Sequence, residues 1–111
     1  MSSTGGNTLI VDDEADVRLL LSLLISQENH GLRVIGEAAS GQQAIELRRD
    51  LHPDVVVLDN RMPGLTGIEV AQQILAERPA QIIVLYSAFL DDEVRAQADE
   101  VGIAADVFGV E

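Results

Sequence analysis

The sequence predicts an α/β fold in which a parallel sheet carries helices on both faces. Short unbroken apolar runs alternate with longer segments whose apolar residues recur at helical spacing. The runs are continuous rather than alternating, as strands buried on both faces require. At 111 residues the chain is one domain with a single core and no room for a second. Hydrophobic residues make up 47% and aromatic ones 3%, so that core is built from Val, Ile, Leu and Ala.

Each element follows in order. Residues 1–7 carry neither a basic n-region nor an apolar h-region and read as a flexible tail, leaving 8–111 as the domain. Leu9 to Val11 is the first strand. Val17, Leu20, Leu21, Leu24 and Ile25 then repeat at the spacing of a buried helix face. Leu32 to Ile35 is the second strand. Ser40 caps the next helix, with Gln43 reaching back. Val55 to Leu58 is the third strand, and Thr66 with Glu69 repeats the capping device. After the fourth strand, Ile82 to Leu85, a helix begins near Asp91-Asp92, turns Val94, Ala98 and Val101 inward, and ends at Gly102. Ala104 to Phe108 is a weaker fifth strand. Strands alternating with helices imply right-handed crossovers. The chain stops at Glu111, so a sheet face that a further helix would cover is expected to lie open, through truncation or an unusual arrangement.

Charge narrows the function. Nineteen acidic residues against seven basic ones give a formal net charge of -12, and every basic residue is arginine. Direct nucleic-acid binding is not expected, because phosphate contacts need a basic patch. The absence of cysteine excludes disulfides and thiolate metal sites, and a cytoplasmic location fits. No stretch approaches the ~20 apolar residues of a membrane span. His30 and His52 lack partners at metal-ligand spacing and receive no role.

The chemistry lies at the strand ends. The first strand ends in Asp12-Asp13 and the third in Asp59, so a parallel sheet gathers three carboxylates at its C-terminal edge, where open α/β sheets bind ligands. Each close pair repels by about 4 kcal/mol at an effective dielectric of about 20. A hard divalent cation such as Mg²⁺ would offset that charge through oxygen ligands and leave positions for phosphoryl oxygens. Asp59, alone at its strand end, is the natural nucleophile, and attack on phosphorus gives an acyl phosphate. Asp12 and Asp13 are the natural metal pair. Asn60-Arg61-Met62-Pro63-Gly64 must form a loop, whose backbone could complete the metal shell. Ser87, followed by small Ala88, is suited to hydrogen-bonding a phosphoryl oxygen once one arrives. The plainer reading makes Asp13 an N-cap and Asp59 a strand terminator; the combination with Ser87 and the loop favours a site.

Leu9-Ile10-Val11-Asp12-Asp13-Glu14, Val34-Ile35-Gly36-Glu37-Ala38 with Gly41, Val57-Leu58-Asp59 with Met62-Pro63-Gly64 and Gly67, and Ser87-Ala88 together resemble the receiver domain of two-component response regulators, over nearly the whole chain. The second block is most similar to receivers that carry a helix-turn-helix output domain. The resemblance implies a flavodoxin-like, doubly wound sheet of five parallel strands in the order 2-1-3-4-5. It also implies that Asp59 accepts phosphate from a sensor histidine kinase or phosphotransfer protein in a phosphorelay. Mg²⁺ would be held by Asp13, Asp59 and the backbone carbonyl of Arg61, with Asp12 acting largely through water. Ser87 would be the switch hydroxyl, and an output domain would lie outside this chain.

The chain departs from that pattern at its end. The family's lysine falls at Gly109, and this chain has no lysine; Arg61 is the candidate compensating cation. The family's aromatic switch residue falls at Asp106, with Phe108 or Tyr86 as candidates to contribute in its place, and the fifth helix is missing. Leu19 and Leu23 form a second apolar strip on the first helix, read either as burial against a neighbour or as a contact face for a kinase's helical hairpin. Two other functions stay open: a protein-interaction module without conventional phosphorylation, and an Asp-nucleophile phosphohydrolase. The second is disfavoured because Asp59 is followed by Asn60-Arg61 rather than x-Asp.

Overall fold

The computed structural model describes residues 6–27, 31–87, 92–103 and 105–108. Five strands and four helices alternate: β1 Asn7–Val11, α1 Ala15–Gln27, β2 Arg33–Ala38, α2 Gly41–Leu51, β3 Val55–Asp59, α3 Gly67–Glu77, β4 Ile82–Ser87, α4 Asp92–Val101 and β5 Ala105–Phe108. The sheet has the order β2-β1-β3-β4-β5, and every pairing is parallel. This is the doubly wound arrangement read from the sequence. Among the described residues no helix follows β5.

Strand alternation sorts the side chains into two layers. Leu9, Val11, Val56, Leu58, Ile83 and Leu85 are fully buried on one face. There they meet Ala44 and Ile45 of α2, Val70, Ala71 and Ile74 of α3, and Ala98 of α4. Local chemistry starts α2 and α3, although at α2 Gln43 Oε1 accepts from the Ala39 N–H at 2.7 Å, one residue before the cap, rather than from the Ser40 N–H that a capping box requires. Ser40 Oγ accepts from the Gln43 N–H at 3.1 Å, and Thr66 with Glu69 forms a complete capping box. An ion cluster links α2 to α3: Arg48 donates to Glu77 Oε1 at 2.8 Å, and Arg49 pairs with the same carboxylate. At the opposite edge of the sheet, Gln81 Nε2 donates to the carbonyls of Pro53 and Asp54, fastening the start of β4 to that of β3.

The other face is thinly covered. α1 packs on β1 and β2, yet none of its residues is fully buried. Leu20 and Leu24, expected in the buried stripe, are each 47% exposed, while Val17, Leu21 and Ile25 are half-buried. The reason is lateral: α2, α3 and α4 lie on the opposite face, so among the described residues nothing flanks α1. Ile82, on the same face, is 48% exposed. Polar contacts hold α1 instead. Arg18 donates to the Asp12 carbonyl at 2.6 Å and to Glu37 Oε1 at 3.3 Å, and Ser22 donates to Glu37 Oε2 at 3.2 Å.

The expected tail boundary also moves. Asn7 belongs to β1, because its N–H donates to Asp54 Oδ2 and its carbonyl accepts from the Asp54 N–H. Residues 1–5 of that tail lie outside the described residues.

Candidate phosphoacceptor and metal site

Asp12 directly follows β1 and Asp59 ends β3, and the two strands are hydrogen-bonded neighbours. Asp12, Asp13 and Asp59 each bring one carboxylate oxygen within 4.8 Å of the others, the one such acidic group of three among the described residues. Asp12 is buried, Asp59 half-buried and Asp13 exposed, so the cluster opens toward solvent on the Asp13 side.

Backbone donors orient two of these carboxylates by the same device. Asp12 Oδ1 accepts from the Glu14 N–H at 2.8 Å, and Asp59 Oδ1 accepts from the Arg61 N–H at 3.0 Å, each an Asx turn two residues long. The first helical hydrogen bond of α1 runs from the Arg18 N–H to the Glu14 carbonyl. Glu14, not Asp13, therefore occupies the cap position, and the plain reading of Asp13 as an N-cap fails.

The loop after Asp59 is pinned below the site. Asn60 donates its N–H to the Tyr86 carbonyl at 3.0 Å, and its own carbonyl accepts from the Gly67 N–H at 3.1 Å. A Cβ at Gly67 would lie 2.5 Å from the Asp59 carbonyl oxygen, so only glycine lets α3 start this close to the site. Gly64 takes a positive φ of 82°, completing the turn that Pro63 begins.

Electrostatics follow from crowding. Burial pushes the Asp59 carboxyl up to about 6 from its ordinary 3.8, and the charges of Asp12 and Asp13 add to the rise against the opposing Arg61 N–H. The sequence offers Tyr86 only as a candidate aromatic for the switch, not as a partner of the acidic cluster. Its hydroxyl donates to Asp12 Oδ2 at 2.5 Å, and burial first, then that bond, holds the phenol well above its ordinary range, so it remains a donor. Tyr86 is the register partner of Asp59 at the end of β4.

The other expected residues are only partly placed. Ser87 closes β4, next to Tyr86. Ala88 and Gly109 lie outside the described residues. Arg61 meets Asp59 through its backbone, with the residue itself exposed. Leu19 and Leu23 lie about one and two turns into α1 and are 58% and 51% exposed.

The model of the response regulator receiver domain family matches residues 8–108. This chain belongs to that family. It is 38% identical over 97 residues to the transcriptional regulatory protein PdtaR of Mycobacterium tuberculosis, covering 87% of this chain and 46% of that protein. The chain thus spans about half the length of this relative. Among solved structures it is similar to a two-component response regulator of the LuxR family from Aurantimonas sp. SI85-9A1, with a TM-score of 0.90 and 30% identity over 97% of this chain and 76% of that one. It is similar too to a chain of the CheX-CheY-BeF3-Mg+2 complex from Borrelia burgdorferi, with a TM-score of 0.87, 25% identity, and coverage of 93% and 77%. No helix among the described residues is long and apolar enough to cross a membrane.

Proposed function

We propose that this receiver domain, which begins with β1 at Asn7, is a phosphoacceptor switch in which Asp59 takes a phosphoryl group from a phosphohistidine on a sensor histidine kinase or phosphotransfer protein. The observation that carries this reading is the meeting of three carboxylate oxygens within 4.8 Å at the ends of two adjacent strands. An all-oxygen, acidic donor set of this kind fits Mg²⁺. Asp13, Asp59 and the Arg61 carbonyl would hold it, with Asp12 acting through water. When bound, the ion supplies charge stabilisation to the transferring phosphoryl oxygens. The relative solved with BeF3 and Mg+2 supports a site of that chemistry.

The remaining work belongs to the chain's own residues. A carboxylate oxygen of Asp59 attacks phosphorus; the new O–P bond forms as the P–N bond breaks, and its electron pair leaves with the imidazole. With its carboxyl at about 6, Asp59 is ionised and nucleophilic at neutral pH. The Arg61 guanidinium takes the place of the family's lysine as the compensating cation. Ser87 bonds a phosphoryl oxygen present only in the modified state, and small Ala88 leaves that oxygen room, so phosphorylation biases one conformation. Leu19 and Leu23 provide the kinase-contact face. The domain acts in the cytoplasm on an output outside this chain.

Amide NMR in Mg²⁺ with beryllofluoride, a phosphoryl mimic, tests the switch. Shifts at Asp59–Gly64 and at Ser87–Ala88 are expected, and both should vanish in Asp59→Asn. Absence of shifts in the wild type would favour a protein-contact module, and continuous phosphate release from acetyl phosphate would favour a hydrolase.

A further inference from the structure

Tyr86 is a large side chain used for a small task, and its geometry states the task. It stands at the end of β4, while Asp12 follows β1, and β3 lies between them. Two strand spacings separate β4 from β1, roughly 10 Å. The phenol reaches over the end of β3, and its hydroxyl donates to Asp12 Oδ2 at 2.5 Å. A serine or threonine at this position is too short to make that bond. Tyr86 is 6% exposed and Asp12 is 3% exposed, so the bond lies out of water, where it holds a fixed direction.

The bond completes a pattern. Asp12 Oδ1 is held by the Glu14 N–H and Oδ2 by Tyr86, so both oxygens of this carboxylate are restrained and its plane cannot rotate. The donor is neutral. An ammonium would cancel part of the acidic charge, whereas a phenol orients Asp12 and leaves the charge of all three carboxylates available to a cation. Donors behind a metal-binding carboxylate are worth about 10–100-fold in metal affinity.

We propose that Tyr86 is a positioning residue of the acidic site: its hydroxyl fixes the Asp12 carboxylate, which acts through water on a divalent cation held by Asp13 and Asp59. This rests on the reading of that cluster as a Mg²⁺ site. Tyr86 acts through Asp12 and does not itself meet the ion.

The chain contains one tyrosine and no tryptophan, so its tyrosine emission reports on this hydroxyl alone. Phenol emission is quenched by hydrogen bonding to a carboxylate and responds when the carboxylate's charge is engaged elsewhere. Titration of the full chain with MgCl₂ should change that emission with the dissociation constant found by calorimetry. Tyr86→Phe, which removes one oxygen and keeps the ring, should weaken Mg²⁺ binding by about tenfold in calorimetry. If the variant binds Mg²⁺ as tightly as the wild type, or if wild-type emission is flat while calorimetry shows binding, the positioning role is wrong. If the wild type shows no heat of Mg²⁺ binding, the metal-site reading fails, and this inference with it. Should the variant not fold, the wild-type emission titration decides, with Asp12→Asn expected to abolish the response.

Discussion

Asp59 must be ionised to attack phosphorus, yet its surroundings resist that charge. Its carboxyl stands near 6 chiefly because of burial, with Asp12 and Asp13 adding repulsion. Between the ordinary value of 3.8 and about 6, the folded domain therefore binds more protons than the unfolded chain. Stability falls as pH rises through that window, and the cost stays in full above it. Because Asp59 is half-exposed, solvent screening reduces the cost to about 1–2 kcal/mol. Glu77 works the other way. Arg49 and Arg48 hold it near 2, so its contribution is present above its ordinary 4.5 and is lost as pH falls toward 2. In EDTA, Asp59→Asn should raise the urea midpoint at pH 7 by the equivalent of about 1–2 kcal/mol and flatten the slope on the alkaline side of the maximum. A variant no more stable than the wild type at pH 7 would contradict this electrostatic account. Asp12, Asp13 and Asp59 were legible as a group because each ends or follows an apolar run. The part played by Tyr86 was not, since its partner Asp12 lies 74 residues away and across an intervening strand.

The helices divide by what determines them. The starts of α2 and α3 were legible because cap signals are written within four residues: Ser40 caps α2, and Thr66 with Glu69 forms the box at α3. Burial of α1 was not legible, since periodicity gives a helix an apolar stripe but does not supply a neighbour to cover it. Leu19, Leu20, Leu23 and Leu24 are all about half-exposed, giving α1 the apolar surface that the proposed kinase contact requires. Leu19→Glu, at a position 58% exposed, should leave the thermal midpoint near that of the wild type. The same change should slow phosphotransfer from the cognate kinase about tenfold or more while sparing labelling by acetyl phosphate. Equal slowing with both donors would place the defect in the acidic site and remove Leu19 from the contact face.

At the scale of the whole molecule, the order β2-β1-β3-β4-β5 makes the site. It sets β1 beside β3, so two acidic strand ends separated by 46 residues converge, and it puts β4 on the far side of β3, where Tyr86 and Ser87 end level with Asp59. The alternation of runs and helices was enough to expect this sheet, because parallel crossovers leave few topologies open. Among the described residues the two layers are unequal: three helices bury one face, whereas α1 leaves the other partly open, in keeping with the uncovered sheet face expected from the sequence. The central claim is that this architecture makes Asp59 a phosphoacceptor. Intact-mass measurement after incubation with Mg²⁺ and acetyl phosphate tests it most directly. The account predicts one added phosphoryl group, labile to hydroxylamine and absent from Asp59→Asn, whereas an unmodified wild-type mass, or an adduct that persists in Asp59→Asn, would contradict it.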